Sequence, residues 1–189
     1  MGYATNAGTF LVETLVGLLL LIVLLRLIFQ MVRADFRNPV SQFIVKVTNP
    51  MLVPLRRVVP SVGTVDMASV VLLFSIQYAE LFLLTLMNGA PFLPLPMLVL
   101  ALAKVIGLII TVFTFSILIQ VIISWVNPGA HNPMTSLLYS INEPILGRAR
   151  RIIPPIHGFD LSPIVAMIFL QLLSILVVAP INDFAMTLR

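Results

Sequence analysis

The sequence predicts an all-α membrane protein: four transmembrane helices arranged as two tandem pseudo-symmetric units, each a span, an amphipathic interfacial helix and a second span. Three observations predict it. Apolar residues make up 60% of the 189-residue chain and charged residues 10%, with a mean hydropathy of +1.12, whereas about 25% of a soluble domain is charged. Four apolar runs each reach the ~20 residues needed to cross ~30 Å of hydrocarbon at ~1.5 Å per residue. A shift of 94 positions, without a gap, carries Asn38 and Pro39 onto Asn132 and Pro133, Pro50 onto Pro144, and Leu52 onto Leu146. The same shift carries Arg56 and Arg57 onto Arg150 and Arg151, Pro60 onto Pro154, Asp66 onto Asp160, and Gln77 onto Gln171. Such self-similarity governs the whole architecture, and it divides the chain into repeats at 1–90 and 91–189.

The first span is expected from Phe10 to Val32, interrupted by Glu13, Arg26 and Gln30. The residues before it lack the basic stretch of a cleaved signal peptide. Arg33 to Asp66 is the first copy of the motif. Asn38 caps a helix that begins at Pro39, because Asn accepts orphan N–H bonds and Pro has no donor to waste there. Phe43, Ile44 and Val47 fall on one side at helical spacing, and Ser41, Gln42 and Lys46 largely elsewhere. Asn49 and Pro50 repeat the cap signal and predict a second short helix or turn ending near Arg56 and Arg57, lying in the interface rather than crossing it. Asp66 caps the second span, Met67 to Met87, which carries Gln77 and Glu80. Asn88 to Pro96 is a tight uncharged loop.

The third span runs from Met97 to about Val126 and carries Lys104 and Gln120. Its length exceeds the hydrocarbon thickness, so it tilts or projects into the headgroups at Trp125. Asn132 and Pro133 start the second motif helix, and Glu143 and Pro144 restart it. The fourth span is expected from Leu161 to Ile181, with Asp160 as cap and Gln171 inside, followed by a polar tail from Asn182 to Arg189.

Cations set the orientation. Arg33, Arg37, Lys46, Arg56 and Arg57 lie in one motif loop and Arg148, Arg150 and Arg151 in the other. By the positive-inside rule both loops are cytoplasmic, and both termini and the Pro-rich seam face outward. Each unit has two spans, so the copies share one orientation, related by an axis along the membrane normal.

Four groups of residues are candidates for a site. Arg56, Arg57, Arg150 and Arg151 either set topology or fork onto the phosphates of anionic headgroups. Asp66 and Asp160 either cap helices or pair with those arginines. Glu80 and Lys104 each lie ~10 to 12 Å from the outer boundary and form an intramembrane ion pair, or else Lys104 snorkels outward. Gln77 and Gln171 either hydrogen-bond across the two halves or line a pore. The chain has no cysteine, which excludes disulfides and thiolate sites. His131 and His157 do not make a metal site by themselves, and axial haem ligation stays open. With no phosphate cradle, nucleophile elbow or HExxH, no enzyme, metal or cofactor is expected.

The segment NPVSQFIVKVTNPMLVPLRRVVP and its copy NPMTSLLYSINEPILGRARRIIPP resemble the motif of the YggT (YlmG) family of small multi-pass membrane proteins, over residues 10–181. The copies differ at Asn49 against Glu143 and at Ser61 against Pro155. The resemblance implies a bacterial inner-membrane protein with relatives in plastids. It also implies links to osmotic-stress tolerance, ion uptake and cell-division gene neighbourhoods, and in plastids to nucleoid distribution and haem attachment to a b-type cytochrome. No reaction comes with it. The leading expectation is a non-enzymatic organiser or assembly factor that contacts anionic lipid, or a membrane or division-related protein, without touching nucleic acid directly. A potassium-uptake channel is the alternative and requires a homo-oligomer, since four spans rarely enclose a conduit. A haem or cytochrome assembly factor is the third.

Overall fold

The computed structural model describes residues 2–127, 129, 132–154 and 160–188. The described residues form helices α1 (Tyr3–Met31), α2 (Pro39–Arg56), α3 (Met67–Met87), α4 (Pro94–Val126), α5 (Pro133–Ile152) and α6 (Ser162–Leu173). A π-helical turn, Ser174–Val178, joins α6 to α7 (Ala179–Thr187). Among them no strand occurs. Four stretches are long and apolar enough to cross a membrane: α1, α3, α4 and the continuous Ser162–Thr187 segment. Most of their apolar surface points away from the protein, as it does where lipid is the solvent.

Two of the spans begin earlier than the hydropathy pattern predicts, at Tyr3 instead of Phe10 and at Pro94 instead of Met97. The last runs on through the expected polar tail as far as Thr187. Its π-turn has a local cause. Pro180 has no N–H to give, and one residue earlier Ala179 N–H reaches back five residues to Ser174, the loosened ladder that proline or a π-bulge produces.

The motif helices depart from expectation more instructively. Pro50 and Pro54 do not divide α2, and Pro144 does not restart α5; each is a single helix. All three prolines are exposed, so the carbonyls they free open outward, where water or headgroups can satisfy them. The buried edge of α2 runs through Ser41, Ile44, Thr48 and Leu52. Ser41 is therefore inside, contrary to the apolar pattern, and Phe43 is 59% exposed. Helical spacing gives α2 three faces: that buried edge, a polar side with Gln42, Lys46 and Asn49, and an outer apolar side with Phe43, Val47 and both prolines.

Packing places α1 on α3 and α2, and α4 on α5, α6 and α7, with α3 against α4 joining the two sets. One core cluster fills α1, α3 and the facing sides of α2, α4 and α5, around Val23, Leu24, Ile44, Leu73 and Ile141. A second, around Ile117, Leu146 and Leu170, fills the space between α4, α5 and α6. The motif helices lie at the same end of the bundle and touch. Asn38 caps α2 by accepting from Val40 N–H at 2.9 Å, and its amide donates to the Pro133 carbonyl at 2.6 Å.

Two span ends close in the same way. After α1, Ala34 N–H bonds Phe29 O at 2.8 Å and Arg33 N–H bonds Gln30 O at 3.2 Å; after α3, Ala90 bonds Thr85 and Gly89 bonds Leu86. Both are Schellman closures, which place one residue in the left-handed region. Gly89 takes it at φ 63° and Arg33 at φ 54°, where a side chain costs about 1 kcal/mol. We expect Arg33→Gly to stabilise the protein by about 1 kcal/mol and Gly89→Ala to destabilise it by a similar amount; thermal unfolding in detergent of the two variants checks the opposite signs.

Candidate functional site

The end of the bundle that carries the motif helices holds nearly all the buried polar chemistry. Each motif helix is fastened to the spans at two points. Midway along α2, Thr48 Oγ1 donates to Ile44 O at 2.7 Å and accepts from Arg26 Nη1 of α1 at 3.4 Å. At its end, the Arg56 guanidinium pairs with Asp66 ahead of α3, Nε donating at 3.0 Å, and the Ser69 hydroxyl donates to the same carboxylate oxygen at 2.7 Å. Asp66 is wholly buried.

The same two levels recur on α5. Ser116 Oγ of α4 donates to Asn142 Oδ1 at 2.5 Å, and Asn142 Nδ2 donates to Gln120 Oε1 at 2.7 Å. At the helix end Arg150 Nε donates to Asp160 Oδ2 at 3.0 Å, and Arg150 Nη1 donates to both oxygens of Glu143 at 3.0 and 3.2 Å. Gln120 and Asn142 stand 94 positions after Arg26 and Thr48. Sequence reasoning passes over Arg26, Thr48, Ser116 and Asn142 as site residues; the signal lies in Arg26 and Gln120, two polar residues at one register of two apolar runs.

Burial works against the charge on Asp66, but Arg56 and the Ser69 hydroxyl outweigh it and hold the carboxyl below its ordinary value. For Asp160 burial again opposes ionisation, and Ser162 with Arg150 overrides it, so this carboxyl is also depressed. Arg150 moves up for the complementary reason, burial being outweighed by Asp160 and Glu143.

The cap candidates divide. Asn38 and Asn132 cap their helices, the latter in a reciprocal box with Thr135. Asp160 Oδ1 accepts from Ser162 N–H at 2.9 Å and so supports the start of α6. Asp66 makes no such bond to α3; its charge is committed to Arg56 and Ser69. Of the four candidate arginines, Arg56 and Arg150 are engaged in ion pairs, whereas Arg57 and Arg151 are exposed and have no salt bridge among the described residues.

Inside the span region, Lys104 Nζ lies 3.6 Å from Glu80 Oε2, and Gln77 Nε2 donates to that carboxylate from one turn away. A bond between Gln77 and Gln171, one of the two roles open to them, is not made. Gln77 is buried on Glu80, while α6 turns Gln171 outward, because its buried edge is Ser162, Ala166 and Leu170. His131 and His157 lie outside the described residues, among which no group of three His, Cys, Asp or Glu could hold a metal ion.

The amino-acid sequence of this chain has counterparts among known proteins. The CCB3/YggT family model matches residues 5–87 and residues 99–181. The chain belongs to the CCB3/YggT family. An uncharacterized Pseudomonas aeruginosa protein is 45% identical over 92% of this chain and 89% of its own length. The Escherichia coli protein YggT, also uncharacterized, is 36% identical over 89% of this chain and 88% of its own. A chloroplast protein of Arabidopsis thaliana, CCB3, whose name is that of a cofactor-assembly protein, is 32% identical over 40% of this chain and 44% of its own. No solved structure matches.

The charge geometry of this CCB3/YggT chain sets both the rank of its arginines and its response to acid. Removing Arg56 strands a wholly buried carboxylate, which costs about 3 kcal/mol; removing Arg150 leaves half-open acids that water can solvate, at most about 1 kcal/mol. Unfolding free energies of Arg56→Ala and Arg150→Ala should rank in that order. Both aspartates titrate lower when folded than unfolded, so their stabilisation is complete above the unfolded value near ~4 and is lost as pH falls through the depressed folded values. The unfolding temperature should stay level from about pH 8 to 5 and drop below about pH 4, less steeply in Asp66→Asn.

Proposed function

We propose that this protein is a non-enzymatic membrane organiser or assembly factor of the bacterial inner membrane. In this reading it consists of two repeats, residues 1–90 and 91–189, whose motif helices face the cytoplasm and hold anionic headgroups around the bundle. The observation that carries the reading is the division of labour within each arginine pair. Arg56 and Arg150 fasten the motif helices to the spans, and Arg57 and Arg151 stand exposed beside them at the same end of the molecule, with Arg148 also exposed. Exposed guanidiniums next to apolar residues such as Val58 and Ile152, both largely exposed, match a surface of phosphates over acyl chains. The name of the chloroplast relative, that of an assembly protein, supports the reading.

Trp125 is the only tryptophan in the chain and is 80% exposed at the motif end of α4, so its fluorescence reports the lipid around that end. In bilayers of phosphatidylcholine and phosphatidylglycerol, phosphatidylglycerol brominated near its carbonyls should quench Trp125 at least about twofold more effectively than brominated phosphatidylcholine, each cation near the surface contributing on the order of 1 kcal/mol. Substituting Arg57, Arg148 and Arg151 with Gln should bring the preference close to unity. Equal quenching by the two lipids in the unsubstituted protein would contradict the reading.

A further inference from the structure

A cavity of about 710 Å³ opens between the last turns of α1 and the polar side of α2, lined by Arg26, Gln30, Gln42, Lys46, Asn49 and Arg56 among others. Three of these side chains are cationic, and the lining contains no carboxylate. Asp66, which bonds Arg56 from outside the lining, offsets one of the charges and leaves two uncompensated.

Arg26 is the least comfortable of the three. It sits in a membrane span at 6% exposure, its Nη1 makes one long bond of 3.4 Å to a neutral hydroxyl, and its Nε has no hydrogen-bond partner among the described residues. Arg56 lies within electrostatic reach and repels it, an effect that the more weakly acting Asp66 opposes. A buried guanidinium with most of its five donors unspent is costly. An anion between Arg26 and Arg56 would remove both problems.

The second half of the chain carries its own answer to the same problem. Ninety-four positions on, Gln120 stands in place of Arg26, Ser140 in place of Lys46, and Glu143 in place of Asn49. Glu143 folds its carboxylate onto Arg150, the counterpart of Arg56, at 3.0 and 3.2 Å. Two cations fewer and one internal carboxylate more leave no demand for an external anion around Arg150 and Gln120, apart from the exposed Arg148 and Arg151. At the first motif the neutral Asn49 leaves the corresponding place open, with two additional cations facing it.

We propose that this cavity binds one phosphate-type oxyanion, held by Arg26, Lys46 and Arg56 with amide donors from Gln30, Gln42 and Asn49. The source is either the headgroup of an anionic phospholipid or free inorganic phosphate, and the recognition chemistry is shared. Arg26 is five residues from the end of α1, about 8 Å along the axis, which is headgroup depth if α1 spans the bilayer. The volume is larger than a bare phosphate and leaves room for a phosphoglycerol. The inference deepens the anionic-headgroup reading above but uses different residues: a single stoichiometric site in the first motif, separate from the exposed Arg57 and Arg151.

The discriminating change is Asn49→Glu, which places at the first motif the carboxylate that the second already has and removes no cation. Native mass spectrometry of the full chain in detergent, titrated with phosphatidylglycerol, phosphatidylcholine or inorganic phosphate, reads the site. We expect one phosphatidylglycerol per chain, retained at least tenfold more tightly than phosphatidylcholine, and a loss of at least tenfold in Asn49→Glu and in Arg26→Gln. Lys46→Gln, at an exposed position, should weaken retention without disturbing the fold as judged by circular dichroism. Displacement of the lipid by millimolar phosphate, or a single phosphate adduct without lipid, would assign the free ion as ligand and still support the site. If folded Asn49→Glu and Lys46→Gln retain phosphatidylglycerol as tightly as the unsubstituted chain, or if neither lipid nor phosphate binds with one-to-one stoichiometry, the proposal is overturned. Failure of the general headgroup preference shows separately, in the Trp125 quenching.

Discussion

The Arg56–Asp66 pair is the constraint on which the rest of the molecule depends. A short amphipathic helix gains little by lying beside apolar spans in lipid, since the hydrophobic driving force between helices is missing there. Something directional has to fix it. In this chain the end of α2 is fixed by a guanidinium on a wholly buried carboxylate that also accepts from Ser69. The middle is fixed by a polar contact between Thr48 and Arg26. With those two points set, Ile44 and Leu52 are held in the protein core, the polar side of α2 is held over the cavity, and Phe43 and the two prolines are left exposed on the outer side.

The second motif solves the same mechanical problem with neutral groups and an extra acid. Gln120, Asn142 and Ser116 form a closed amide and hydroxyl network, which is cheaper to bury than a charge. Arg150 is shared between Glu143 and Asp160 in a more open setting. The two motifs therefore have similar shapes and different electrostatics. The buried polar contacts of the second motif are complete in themselves and those of the first are not, so only the first has use for a ligand at that inner level, apart from the exposed arginines of both.

Much of this was legible in the residues. Proline and asparagine punctuation located both motif helices, and hydropathy located all four spans, one of them to the residue at Met67 and Met87. The spacing of Glu80 and Lys104 about the seam brought them to the same depth, and they do approach. What was not legible has physical reasons. Proline is an interior breaker on average, but on the exposed side of a helix the carbonyls it frees are not stranded, so α2 and α5 continue through Pro50, Pro54 and Pro144. Ser41 looked polar, yet it lies on the same buried edge as Ile44, Thr48 and Leu52, while the larger Phe43 is left outside. Gln171 matched Gln77 in register, but the face a residue takes is decided by neighbours, and Glu80 supplied a nearer partner. Arg26 could have been found: a guanidinium inside an apolar run is costly enough to demand an explanation.

The central claim, that a charge pair fastens the first motif helix to the bundle, is tested most directly by a double-mutant cycle between Arg56 and Asp66. Unfolding free energies would be measured in detergent for Arg56→Gln, Asp66→Asn and the double variant. A coupling of about 1 to 3 kcal/mol, with the double variant little worse than the worse single one, is the expected result for residues in one buried network. Additive effects, with a coupling near zero, would mean that α2 is held by packing alone and would contradict the account.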